Sequence, residues 1–102
     1  MCIGGNEMDM LLRLYKAVAY QKRVDMLALL LKHREMALEE IYTALKISQT
    51  TASRNLKILE RTNFVSSTYK NGRVFYSIVN RDDLYYNKVI LDSIQRWKKR
   101  RM

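Results

Sequence analysis

Near Thr62 the apolar residues of this chain change period. Before it they recur every three or four positions. After it they alternate, through Phe64-Val65-Ser66-Ser67-Thr68-Tyr69-Lys70 and again through Arg73-Val74-Phe75-Tyr76-Ser77-Ile78-Val79. Between the two runs stands Asn71-Gly72. A type I′ turn needs positive φ at both central residues, and Asn-Gly meets that need with little strain, so the pair predicts a two-residue hairpin. The turn also sets a register: Lys70 faces Arg73, Tyr69 faces Val74, Thr68 faces Phe75, Ser67 faces Tyr76 and Val65 faces Ile78. Val65, Tyr69, Val74, Tyr76 and Ile78 then share one face, which should pack on the helices. Lys70 and Arg73 end side by side at the tip. Adjacent cations repel, and a nearby phosphate would relieve them. A tip that is simply solvated is the plainer alternative.

The stretch before the hairpin reads as one amphipathic helix over 49–61. Ser48 is a good N-cap, because its hydroxyl can accept from an otherwise orphan N–H of the first turn. Ala52, Leu56 and Leu59 fall at i, i+4 and i+7, on one face. Gln49, Thr50, Ser53, Arg54, Lys57 and Arg61 occupy the rest, with no carboxylate before Glu60. Amide, hydroxyl and guanidinium groups are what base edges in a DNA major groove can bond: Gln to adenine, Arg to guanine, Ser or Thr to several. An ordinary solvated face is the alternative for this helix taken alone.

Upstream, residues 7–19 read as a helix with Met8, Leu11, Leu12, Tyr15, Val18 and Ala19 as its apolar stripe, and with Met10 and Leu14 off it. A second helix over 21–33 has Val24, Leu27, Leu30 and Leu31 as core, widened by Met26 and Leu29. His33 in its last turn suits the negative end of the helix dipole. No cluster of histidine or cysteine accompanies it, so catalysis or metal binding is not indicated there. Residues 34–37 form a connector with a short extended piece. A third helix over 38–45 turns Leu38, Ile41, Tyr42 and Leu45 inward. Glu39 and Glu40 lie in its first turn, where carboxylates suit the dipole rather than forming a catalytic pair. Two helices about three residues apart, the second with a basic front, is helix-turn-helix spacing.

After the hairpin, Asn80 as N-cap with Asp83 three residues on resembles a capping box and predicts a last helix. Tyr86, Ile90, Ile94 and Trp97 form its stripe, thickened by Leu84, Val89 and Leu91. Lys98-Lys99-Arg100-Arg101 is a block of like charge, read as a basic tail.

The 102 residues suffice for one domain, divided here into an arm at 1–6, a single domain at 7–97 with its hairpin at 64–79, and a tail at 98–102. Nineteen Lys and Arg against ten Asp and Glu leave a net charge of +9, which favours polyanionic partners, nucleic acid before anionic membrane. The longest apolar run, Met26 to Leu31, is far short of the ~20 residues that span a bilayer. The start lacks a secretory pattern, which points to the cytoplasm, of a cell or of a virus-infected host. The one cysteine, Cys2, cannot form an internal disulfide. No metal cluster, phosphate-binding glycine loop or nucleophile–base pair is legible, so no catalytic residue, metal or cofactor is expected.

The run from Leu45 through Ser48-Gln49-Thr50-Thr51-Ala52-Ser53-Arg54-Asn55-Leu56-Lys57 to Leu59, then Phe64-Val65, then Asn71-Gly72-Arg73-Val74-Phe75-Tyr76-Ser77-Ile78, resembles the ArsR-type winged-helix repressors. The match covers about residues 27–79. The resemblance implies a mostly helical α+β fold: a winged helix-turn-helix with five helices and a two-stranded wing. It implies that the 49–61 helix enters the major groove and that the hairpin lies against the backbone. Gln49 and Arg54 would read bases. Thr50, Thr51 and Ser53 would lie near base edges or phosphates. Lys57, Arg61 and the tip residues Lys70, Asn71 and Arg73 would meet phosphates. Family members pair through their first and last helices, which here implies a homodimer interface from Leu11, Leu12, Tyr15, Tyr86, Ile90, Ile94 and Trp97.

Asn55 departs from the histidine common in the family. Asn63 replaces the usual glycine but also tolerates a left-handed backbone. The helix at 38–45 carries no cysteine and the last helix no histidine, so the family's metal-sensing ligands are missing. The expectation is a sequence-specific, homodimeric regulator of transcription, most simply a repressor. A winged-helix protein-interaction module, a non-specific architectural DNA binder and a membrane-surface protein using Trp97 and the tail are the alternatives. An enzyme is the least expected class.

Overall fold

The computed structural model describes residues 7–101, with side-chain surroundings for residues 8–98. The expected arm at 1–6, Cys2 within it, and the side chains of the tail beyond Lys98 lie outside the described residues. The order is α1 (Glu7–Val18), α2 (Gln21–Lys32), β1 (Met36–Ala37), α3 (Leu38–Leu45), α4 (Gln49–Arg61), β2 (Val65–Lys70), β3 (Arg73–Ile78) and α5 (Tyr85–Arg101).

The hairpin forms in the register that Asn71-Gly72 dictates, from Lys70 opposite Arg73 to Val65 opposite Ile78. Asn71 and Gly72 take φ of 51° and 76°, the positive pair that a type I′ turn requires. The short extended piece after α2 becomes a real strand. Met36 pairs with Tyr76 and Ala37 with Phe75, so the sheet has three antiparallel strands in the order β1-β3-β2 instead of two. This ties the middle of β3 to the head of α3.

Turns follow local chemistry. Lys46 takes a left-handed conformation (φ 57°) to end α3, and Asn63 does the same (φ 64°) between α4 and β2. Ala37, before α3, has no capping side chain, but Glu40 Oε1 accepts from its N–H at 2.8 Å. Exposed His33 closes α2, its N–H bonded to the Leu29 carbonyl at 2.8 Å.

The core joins Leu14 and Ala17 of α1, Met26, Leu27 and Leu30 of α2, Ile41 of α3, Ala52, Leu56 and Leu59 of α4, Phe64 and Val65, Tyr76, and Ile90, Leu91 and Ile94 of α5. Fully burying a Leu or Phe side chain contributes roughly 1.5–3 kcal/mol relative to leaving it exposed, so this set carries the fold.

Four expectations are revised. On α1 the buried side chains are Leu14 and Ala17, while Met8, Leu12 and Tyr15 are exposed. The helix docks on α2 and α5 through a face rotated from the stripe that its apolar count suggested. Tyr69 is 73% exposed, because the hairpin tip projects past the helices that cover Val65 and Tyr76 at its base. The last helix begins at Tyr85, not at Asn80. Val79 N–H still bonds to the Phe64 carbonyl, extending the sheet connection, and Asp83 accepts two bonds from the Arg81 guanidinium, so the capping box does not form. Finally, α5 runs on to Arg101, so the start of the basic tail continues a helix.

Candidate nucleic-acid interface

Helix α4 is held by its inner face and presents the outer one. Successive residues turn by about 100°, which sets Ala52, Asn55, Leu56 and Leu59 on one side and Gln49, Thr50, Ser53, Arg54, Lys57 and Arg61 opposite. The structure follows this division. Ala52, Leu56 and Leu59 are fully buried, whereas Gln49, Thr50, Arg54, Lys57 and Arg61 are exposed and Ser53 half-buried. Gln49, Thr50, Ser53, Arg54 and Lys57 line one shallow groove with no carboxylate in it. Arg61, one turn further, lines a separate cleft against Arg13 and Leu14 of α1.

Thr51 does something else. Its N–H donates to Ser48 Oγ at 3.1 Å, and Ser48 Oγ donates to Thr51 Oγ1 at 2.9 Å. Its hydroxyl therefore belongs to the helix cap, a contact worth about 1 kcal/mol, and it lies at the edge of the outer face.

Asn55 is the inner-face residue that the apolar pattern does not mark as core, because its side chain is polar. It is buried, at 6% exposure. Its amide donates to the Thr51 carbonyl at 2.8 Å, and its oxygen accepts from Arg23 Nε on α2 at 2.9 Å. The signal that could have found it was positional: it sits on the side of α4 that carries Ala52 and Leu59. Asn87 has a parallel place. It is buried on α5 and donates to the Thr62 carbonyl at the end of α4 at 2.9 Å.

The hairpin tip brings Lys70, Asn71 and Arg73 together, all exposed. Its two cations already have partners: Lys70 Nζ lies 3.0 Å from Glu35 Oε1, and Arg73 Nε lies 3.6 Å from Glu39 Oε1. At the hairpin base, Ser67 donates to Glu60 at 2.8 Å. Burial, and then the Glu60 charge, hold the Tyr76 hydroxyl above its usual pKa. Arg54, Lys57 and Arg61 have no ion-pair partner among the described residues; the described pairs lie on the wing, in the 81–83 turn and on α5.

The seven residues read from sequence as an interface divide. Ile90 and Ile94 are 8% exposed and belong to the chain's own core. Leu11 and Tyr86 are half-buried, while Leu12, Tyr15 and Trp97 are exposed. Among the described residues no group of His, Cys, Asp and Glu could hold a metal ion, and no helix is long and apolar enough to cross a membrane.

A helix-turn-helix whose second helix presents a basic polar face, followed at once by a hairpin, defines a winged helix-turn-helix transcription regulator. The chain belongs to the ArsR family. Residues 21–67 match the sequence profile described as bacterial regulatory protein, arsR family. No curated protein matches the chain by sequence. Among solved structures, HlyU from Vibrio cholerae superposes with a TM-score of 0.77 at 25% identity, over 91% of this chain and 96% of that one. A possible transcriptional regulatory protein from Mycobacterium bovis, as a fragment of residues 1–100, gives 0.73 at 30% identity over 90% and 94%. The solution structure of the same fragment, described as a homodimeric winged helix-turn-helix DNA-binding domain, gives 0.75 at 28% identity over 95% and 91%.

Proposed function

We propose that this chain is a sequence-specific DNA-binding repressor of transcription, acting as a homodimer in the cytoplasm, and is not an enzyme. The observation that carries the reading is the outer face of α4: Gln49, Thr50, Ser53, Arg54 and Lys57 along one groove, its cations free of internal ion pairs among the described residues. An arginine that is not neutralised within the protein keeps its forked donors for guanine, and a lysine keeps its charge for phosphate. In this reading Gln49 and Arg54 read bases, Thr50 and Ser53 lie at base edges, and Lys57, Arg61, Lys70, Asn71 and Arg73 contact the backbone. Thr51 supports the contact by holding the helix start.

The dimer surface follows from what one chain leaves uncovered. Leu12 and Tyr15 on α1, with Tyr85 and Val89 on α5, are large apolar side chains exposed on two helices that pack together. Apolar surface exposed on two neighbouring helices favours a partner, and a two-fold pair presents the same surface from each copy. The homodimeric Mycobacterium bovis relative supports self-association. Two copies would read half-sites about one helical turn apart, ~34 Å.

The test is selection from a random duplex pool, with bound fractions measured at two salt concentrations. An inverted repeat is the expected result. Tight binding with a steep salt slope and no consensus would instead mean an architectural DNA binder, and no binding at low salt would mean a protein-interaction module.

A further inference from the structure

Strand β1 does more than add an edge to the sheet. Ala37 pairs with Phe75, so Glu35, two residues before Ala37, lies on the sheet side that Phe75 occupies, while Glu39 reaches that side from the first turn of α3, where it meets Arg73. Arg73, two residues before Phe75, shares that face, and so does Lys70, which pairs with Arg73. Five side chains therefore converge: Lys70 from β2, Arg73 and Phe75 from β3, Glu35 from the residue before β1, and Glu39 from the head of α3. Lys70 Nζ stands 4.7 Å from the centre of the Phe75 ring and 3.0 Å from Glu35. The Arg73 guanidinium stands 5.3 Å from the same centre, with Nε 3.6 Å from Glu39. The tip cations are folded back over the sheet, each facing a carboxylate, and the cluster has no net charge.

We propose that Glu35 and Glu39 are built-in stand-ins for DNA phosphates, holding Lys70 and Arg73 back over Phe75 until duplex DNA displaces them. The proposal rests on the reading of the hairpin as a DNA contact. A carboxylate and a phosphate offer a cation the same oxyanion, so displacement exchanges one charge-assisted contact for another. All four charged side chains are about half exposed, so an incoming backbone can reach them. The outer face of α4 has no such stand-ins among the described residues. The helix therefore engages DNA with its full charge, while the wing engages only by giving up internal pairs, which lowers its pull on DNA.

Glu35→Gln and Glu39→Gln remove the charge and keep the shape, and both sites are exposed, so the fold persists. Duplex binding of the full chain is measured by titration, with the two substitutions made in the native background and in a Lys70→Gln/Arg73→Gln background. In the native background, affinity rises about two- to fivefold per freed cation at low salt, the range that exposed pairs allow, and the gain shrinks as salt is added. In the second background the same substitutions change nothing. Equal tightening in both backgrounds would mean a general charge effect and overturns the proposal, as does unchanged or weaker binding in the native one. A native chain that binds no duplex at all removes the DNA reading itself, and that is seen before any variant is compared.

Discussion

Arg23 on α2 donates from Nε to the side-chain oxygen of Asn55 on α4, at 2.9 Å. The same guanidinium donates from Nη1 to the carbonyls of Lys16 and Ala17 at 3.2 and 3.1 Å, where α1 ends. One side chain thus closes the end of α1 and braces the middle of the helix assigned to the major groove. Removing one partner leaves the other's polar atoms without a bond, which costs about 1–3 kcal/mol when they are buried. Asn55→Ala is therefore expected to lower the unfolding free energy, measured by urea titration, by about 1–3 kcal/mol. Arg23→Ala should do much the same, and the double variant should lose less than the sum. Strict additivity would mean that the two residues act separately.

Arg54→Ala should cost about 1–3 kcal/mol in binding and relax the preference at one base position, whereas Lys57→Ala should weaken all sequences alike and lower the salt slope by about one unit. Titrations against the selected duplex and single-base variants of it separate the two. Loss of preference on Lys57→Ala but not on Arg54→Ala would reverse their roles.

Leu12 and Ile94 were joined by sequence in one interface and are separated by burial. Leu12→Glu places a charge on the exposed patch. It is expected to give a folded monomer by sedimentation, with much weaker binding to a two-half-site duplex. Ile94→Ala empties core volume and should instead lower stability by about 2–5 kcal/mol. A dimeric Leu12→Glu chain would move the interface elsewhere.

Tyr76 provides a pH test. Burial, and then the Glu60 charge, raise its pKa above the ordinary 10.0. A raised folded pKa means that the folded chain keeps the proton after the unfolded chain has lost it. The stabilisation is therefore complete below about pH 10 and fades as pH rises through the folded value. Tyr76 should ionise above the ordinary tyrosine range in an ultraviolet titration, and Tyr76→Phe should flatten the alkaline loss of stability. An unchanged alkaline profile in Tyr76→Phe would assign that loss to another group.

Much of the molecule was legible one residue at a time. Asn71-Gly72 set the hairpin register because positive φ at two adjacent positions has few solutions. Ser48 and the 3.6-residue period of Ala52, Leu56 and Leu59 marked the start and inner face of α4, and the polar outer face followed. Asn55 was less legible, because a buried amide in a polar stretch looks like any exposed one until Arg23 arrives from 32 residues away.

The remaining misreadings share a cause. The Asn80 cap lost to the Arg81–Asp83 pair and to the pull of Val79 on Phe64. On α1, apolar residues cover most of the surface, so counting them could not say which side turns inward; packing on α2 and α5 chose Leu14 and Ala17. The wing cations looked free because Glu35 and Glu39 are more than thirty residues away along the chain. What the sequence determined by itself were the features fixed by local sterics and periodicity: the order of elements, the turn, the cap, and the polar front of α4. Which apolar face is core and which is left for a partner, and which charges are already neutralised, was decided only by the tertiary structure. Those outcomes depend on contacts between residues distant in sequence, and no local pattern encodes them.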